Sequence, residues 1–227
     1  MKIAVVQHRL RPAPAQDLEA LVGAVGEAER RGAEVIVLPA VPVLQDGPLS
    51  EDIWRRLGEA APGVVVLMPS VHEPSADAAL VRDVESLGSV TLIAGDAVCD
   101  REALSAAASE RPDVAVLSPL SESELQAEAF LELAIGLSSS LASLVIVAET
   151  DGAAVGDPGH GGSAVLHLGE VLAEAMTGDD LLLVDPEIPI GSPQAAGSLP
   201  EIPPLLAQRL AAHRGQKLDV GYPADLD

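Results

Sequence analysis

The feature that most constrains the fold of this chain is a series of short runs of β-branched and aliphatic residues. The segments between these runs carry apolar side chains at helical spacing. Residues 2–6 (KIAVV) and 34–38 (EVIVL) are long enough for buried strands and too short for helices. Between them, residues 17–32 carry apolar side chains at helical spacing, with Asp17 as the expected start and Gly32 as the expected end. This order predicts an α/β fold in which helices cover the sheet faces.

The alternation continues to residue 185, and a segment rich in Pro, Gly and Ser follows it. The later predicted elements are strands at 63–68, 78–84, 89–94, 113–117, 144–148, 163–168, 171–176 and 181–185, and helices at 49–57, 100–109, 122–141 and 205–213. Gly88 marks a hairpin turn. No linker separates two cores, so we predict one domain over residues 1–185. Residues 186–227 are predicted to pack on that domain or on a partner subunit.

Charge and composition exclude several classes of function. Thirty-five acidic residues against thirteen basic ones give a net charge of −22, which disfavours binding to nucleic acids and anionic membranes. No apolar run is long enough for a spanning helix, and the N-terminus does not resemble a secretory signal, so we expect a cytoplasmic protein. Cys99 alone cannot form an internal disulfide. No closely spaced ligand set predicts a metal, and no cofactor is expected.

Four stretches resemble the nitrilase (carbon-nitrogen hydrolase) family in their order and spacing. They are IAVVQ with GAEVIVLPA near the start, LGSVTLIAGD at 87–96, the helix 126–141 with SLVIVAETDG, and GGSAVLHLGEVLAEA at 161–175. The resemblance covers most of residues 1–185. It implies a single-domain α-β-β-α sandwich, in which two sheets face each other and helices cover both outer sides.

The resemblance also implies where catalytic residues would stand. The family uses a glutamate base after a Leu-Pro pair, a lysine that stabilises an oxyanion, and a cysteine nucleophile two positions before an aspartate. The matching positions here hold Ala40 and Ala94, while Asp96 is retained. No lysine occurs between residues 41 and 93. Because such residues act as a unit, we expect no hydrolysis of the family's kind.

Four other residues are candidates for chemistry in the same cleft: Asp96, Cys99, Glu73 and His160. Cys99 lies near a predicted helix start that would lower a thiol pKa, although a lone cysteine in an Ala-rich segment is more typical of a buried apolar residue. Glu73 follows His72 in a loop, and adjacent side chains usually point apart. His160 lies among glycines whose spacing does not match a phosphate-binding loop.

Three functional hypotheses follow from these observations. The first is a non-catalytic nitrilase-like pseudoenzyme that acts as a binding, assembly or regulatory subunit. The resemblance implies a homodimer or larger homo-oligomer, with the helices at 100–109 and 122–141 as interface candidates, and a further protein partner. The second is a hydrolase of carbon-nitrogen bonds, or another enzyme, that uses residues outside the family set. The third is an acidic, self-assembling structural protein.

Overall fold

Two sheets and five helices make up the part of the chain described by a computed structural model. That part comprises residues 1–41, 49–69, 80–85, 87–141, 143–152, 159–186 and 197–219. The strands are β1 Ile3–Arg9, β2 Val35–Val37, β3 Val65–Leu67, β4 Leu80–Val84, β5 Gly88–Ala94, β6 Val114–Ser118, β7 Leu144–Val147, β8 Thr150–Asp151, β9 Ala164–His167, β10 Glu170–Glu174 and β11 Asp180–Val184. The helices are α1 Pro14–Arg30, α2 Leu49–Ala60, α3 Arg101–Ser109, α4 Glu124–Leu141 and α5 Pro204–Asp219, with a 3₁₀ helix at Gly95–Cys99.

Each sheet has a parallel centre and antiparallel strands beside it. The first sheet has the order β11-β1-β2-β3, in which β1, β2 and β3 are parallel and β11 is antiparallel; the short strand β8 also pairs with β1. The second has the order β10-β9-β7-β6-β5-β4, with β5, β6 and β7 parallel. The carboxyl ends of β5 and β6 therefore meet at one edge of the second sheet, where side chains can act together.

Alternation along the strands produces the layers. In β1, Ala4 and Val6 join an apolar cluster with α1 and α2, whereas Ile3 and Val5 join a cluster between the two sheets. The far side of the second sheet packs on α3 and α4, where Phe130 is the largest buried side chain. The predicted α-β-β-α sandwich is therefore confirmed.

The first helix begins before the residue expected to start it. Pro14 stands in the first turn, where its missing N–H costs no hydrogen bond, and the N-cap residue Ala13 makes no side-chain cap. Asp17 is a buried residue inside the helix, so the prediction that it opens the helix was wrong. The hairpin predicted at Gly88 is present, with β4 and β5 paired antiparallel.

Residues 197–219 lie against α4 and the 3₁₀ helix of the same chain. Leu206 of α5 is fully buried in the cluster that contains Phe130, and the N–H of Gly197 donates to the carbonyl of Ser140 over 2.7 Å. A Cβ at Gly136 would lie 2.8 Å from Pro200, so only glycine permits this close approach. None of the described helices is long and apolar enough to cross a membrane.

Candidate functional site

The two alanines that the sequence resemblance aligns with the family's glutamate and cysteine lie on either side of one serine. Ala94 ends β5 and is the direct neighbour of Ser118 at the end of β6, so their backbones lie one strand spacing apart, about 4.8 Å. Ala40, after β2 of the other sheet, donates its backbone N–H to Ser118 Oγ over 2.7 Å. The hydroxyl in turn donates to the carbonyl of Ala148, also over 2.7 Å. Ser118 thus joins the two sheets at the point where both alanines stand.

A buried carboxyl group lies one residue beyond Ala148. Glu149 is 1% exposed, and its Oε1 accepts hydrogen bonds from the Ser121 backbone N–H, over 2.8 Å, and from the Ser121 hydroxyl. Burial raises the pKa of Glu149 to about 7, although the bonds from Ser121 act to lower it. Glu149 is therefore a buried acid, close to the ends of β6 and β7, that changes charge near neutral pH. We call Ala40, Ala94, Ser118, Ser121 and Glu149 the inter-sheet cluster.

The last helix, α5, contacts Asp96, the aspartate that matches the family's pattern. Asp96 Oδ2 lies 2.9 Å from His213 Nδ1, and Asp96 Oδ1 lies 3.4 Å from the Arg209 guanidinium. Arg209 is itself buried; it donates to Gln126 over 3.1 Å and stacks 5.5 Å from the centre of the Phe130 ring. Asp96 is therefore engaged by α5.

Cys99 is enclosed within the apolar cluster beneath α4. Its side chain is fully buried, and its Sγ–H donates to the carbonyl of Asp96 over 3.2 Å. Burial raises the pKa of the thiol to about 11, which leaves almost no thiolate at neutral pH. The 3₁₀ helix places Cys99 before α3, where Asp100 rather than the thiol caps the helix by accepting from the Glu102 N–H.

The remaining sequence candidates are His160 and Glu73. His160 is exposed, and its backbone N–H, rather than its ring, interacts with the Glu149 carboxyl group. His72 and Glu73 lie outside the described residues. No group of three or more His, Cys, Asp or Glu side chains arranged for a metal ion occurs among the described residues.

A second buried polar group lies on the α1 side of β1. His8 Nε2 lies 2.7 Å from Asp17 Oδ1, and each side chain is 2% exposed. The same oxygen accepts the Arg11 backbone N–H over 2.7 Å. Asp179 accepts the Arg9 N–H over 2.8 Å and pairs with the Arg11 guanidinium. We call His8, Arg11, Asp17 and Asp179 the His8 cluster.

The pKa values of His8 and Asp179 are both shifted from their ordinary values, for different reasons. Burial lowers the pKa of His8, against the opposing effect of the hydrogen bond to Asp17, so the ring is neutral at pH 7. Burial acts to raise the pKa of Asp179, but the hydrogen bonds from Arg9 and Arg11 outweigh it, and that pKa lies below its ordinary value. A neutral imidazole therefore faces an ionised carboxylate.

Comparison with solved structures defines the class of fold. The chain has the fold of the nitrilase superfamily, as the sequence resemblance predicted. The particular relatives are structures of the amidase from Nesterenkonia sp.. Its crystal structure is 18% identical, with a TM-score of 0.68 and 96% of each chain covered. The form with butyramide is also 18% identical, with a TM-score of 0.66, and covers 95% of this chain and 96% of that one.

Sequence comparisons give no corresponding match. No family model matches the chain, and a search of curated proteins finds none that matches it. At this level of identity the structural likeness shows the fold alone. Any chemistry of this chain therefore depends on the residues at the carboxyl ends of β5 and β6.

Proposed function

We propose that the chain is a non-catalytic protein of nitrilase fold that serves as a binding, assembly or regulatory subunit. The observation that carries the proposal is the pair of alanines beside Ser118. A methyl group neither attacks a carbonyl carbon nor accepts a proton. The Ser118 hydroxyl between them is already engaged with Ala40 and Ala148, so it is a structural link between the sheets.

The distribution of lysines supports the same proposal. The whole sequence contains only Lys2 and Lys217. Lys2 precedes the first residue of β1, at the end of that strand opposite His8, and its Nζ donates to the carbonyl of Arg31 over 3.1 Å. Lys217 lies in the last helix. Neither lysine stands in the segment where the family's lysine belongs, so the oxyanion role is unfilled there.

Covalent labelling tests the non-catalytic proposal. Fluoroacetamide and acrylamide both add to the active-site cysteine of the Nesterenkonia amidase, in a variant with glutamine in place of a glutamate. We expect the folded chain to keep an unchanged intact mass with both reagents, because Cys99 is buried and protonated. The unfolded chain should be labelled on Cys99 by acrylamide, which provides the positive control. An adduct on Cys99 of the folded chain would contradict the proposal.

Assembly is proposed to use α3 and α4. Residues 197–219 cover one side of α4, and the side left open carries Leu125, which is 67% exposed, with Glu128 and Glu132. Sedimentation velocity should show a dimer for the wild type and a monomer for Leu125→Glu. Leu172→Glu, which changes an exposed leucine on β10, is the matched control and should remain dimeric. A monomeric wild type would contradict the proposed interface. A dimer that is lost only in Leu172→Glu would place the interface at β10 and not at α4.

A second candidate function is a serine-dependent hydrolase that uses Ser121 and Glu149. The observation that favours it is the Ser121 hydroxyl bonded to a carboxyl group whose pKa is raised to about 7. Such a pair should react with phenylmethylsulfonyl fluoride at Ser121, and Glu149→Gln should abolish the reaction. Absence of labelling removes this candidate. The third hypothesis, an acidic self-assembling protein, predicts association that grows with ionic strength, which sedimentation at two salt concentrations measures.

A further inference from the structure

A cleft of about 460 Å³ opens beside the His8 cluster, on the α1 side of β1. This volume lies within the range of small-molecule sites, which is roughly 300–1,000 Å³. The cleft is separate from the inter-sheet cluster, because Ala4, Val6 and His8 alternate toward α1 while Ile3 and Val5 face the other sheet. Its occupancy is therefore independent of the function proposed above.

The hydrogen bonds of His8 determine which ring nitrogen is free to accept. Asp17 Oδ1 already accepts the Arg11 N–H, so it acts as an acceptor toward His8 Nε2 as well. Nε2 therefore carries the ring proton, and Nδ1 keeps a lone pair. Nδ1 lies 3.8 Å from Asp179 Oδ1, and both residues line the cleft. Two hydrogen-bond acceptors thus lie side by side, since Asp179 Oδ1 accepts the Arg9 N–H with one lone pair and keeps a second.

A single donor nitrogen fits between these two acceptors. A nitrogen about 2.9 Å from each of them spans their separation, provided that it carries at least two hydrogens. The lining residues hold three acids and two arginines, and the Asp17 carboxylate lies behind the ring. The acids are Glu27, Asp179 and Asp180, and the cations are Arg11 and Arg31. The excess of acids favours a cationic donor.

The rest of the cleft is lined by Gln7 and four small or aliphatic residues. Val6, Ala20, Ala24 and Leu181 form its aliphatic lining. No Phe, Tyr or Trp is among the described residues that line the cleft, and the aliphatic side chains suit a short aliphatic body. We propose that this cleft binds a small aliphatic primary amine, whose ammonium group donates to His8 Nδ1 and Asp179 Oδ1.

Calorimetric titration with n-butylamine at neutral pH and constant ionic strength tests the site. Two control probes separate its features: n-butanol has the same body without the charge, and tetramethylammonium has the charge without an N–H donor. We expect saturable 1:1 binding of butylamine and about tenfold or weaker affinity for each control, since a charge-assisted hydrogen bond is lost. No saturable binding of butylamine, or equal binding of tetramethylammonium, overturns the proposal.

Asp179→Asn removes the anionic acceptor and keeps the side-chain shape. Glu170→Gln makes the same charge change at an exposed residue of β10 and is the matched control. Butylamine binding should weaken about tenfold in Asp179→Asn and stay unchanged in Glu170→Gln. Equal binding by both variants overturns the proposal.

A spectroscopic measurement on the wild type makes the test independent of how Asp179→Asn folds. The ¹⁵N resonance of His8 Nδ1 should shift when butylamine is added and stay in place when tetramethylammonium is added. A resonance that does not respond to butylamine overturns the proposal as well.

Discussion

The inter-sheet cluster and the His8 cluster contain similar groups in opposite situations. Around Ser118, the hydroxyl joins Ala40 to Ala148, and the neighbouring Glu149 carboxyl group is occupied by Ser121. In the His8 cluster, Asp17 orients the ring and leaves Nδ1 beside a cleft. The comparison teaches that the two clusters differ in one respect: the groups of the inter-sheet cluster bond to one another, whereas His8 Nδ1 makes no hydrogen bond to another described residue and lies beside a cleft.

The largest expected effect comes from removing the acid that orients His8. Asp17→Ala deletes two hydrogen bonds and leaves His8 Nε2 unsatisfied, so we expect the free energy of unfolding to fall by about 4 kcal/mol. Urea unfolding measures this change. Glu170→Ala, at an exposed position, should change it by less than about 0.5 kcal/mol. Equal effects of both substitutions would show that the His8 cluster is not held by Asp17.

The pH dependence of the stability of Glu149→Gln tests how far the inter-sheet cluster is shielded from water. The pKa of Glu149 is about 7 in the folded chain against an ordinary 4.5, so the folded state holds a proton that the unfolded state has lost between those values. Stability from this group is therefore present at low pH and lost as pH rises from 4.5 to about 7. We expect the variant to be more stable than the wild type by about 3 kcal/mol above neutral pH and equal to it near the ordinary pKa.

Urea unfolding of both proteins over this pH range measures that difference. Comparing the two proteins isolates the contribution of Glu149 from that of every other titratable group, which both proteins share. A constant difference at every pH would mean that the carboxyl group keeps its ordinary pKa and that the inter-sheet cluster is open to water.

A smaller loss is expected from Ser118→Ala. The substitution leaves the buried N–H of Ala40 and the carbonyl of Ala148 without this partner, at a cost of about 2 kcal/mol. Ser105→Ala, on the exposed side of α3, is the control and should be nearly neutral. Thermal unfolding reports both. If Ser118→Ala matched its control, the two sheets would not depend on this link.

The layered fold was predictable because its signals are local. Runs such as residues 34–38 and 144–148 are strongly apolar, and glycines such as Gly88 mark the turns, so periodicity alone indicated the strands and helices. The start of α1 was not predictable in this way. Asp17 has the identity of an N-cap, but its tertiary bond to His8 determines its role.

The candidate site was only partly predictable. The family resemblance indicated Ala40 and Ala94. Strand register makes Ser118 the neighbour of Ala94, whereas its bond to Ala40 depends on how the two sheets pack. Glu149 was missed, although its place directly after the buried run LVIVA was a usable signal. Arg209 and His8 gave no such signal, because their partners lie far away in the sequence or on another element. Long-range pairing of this kind is set by packing.

Release of ammonia from acetamide and butyramide tests the central claim most directly. If the two alanines leave the inter-sheet cluster without a nucleophile and a base, release by the purified chain should equal that of buffer alone at every protein concentration. Release that rises in proportion to protein, and that disappears in Glu149→Gln or Cys99→Ala, would contradict the account.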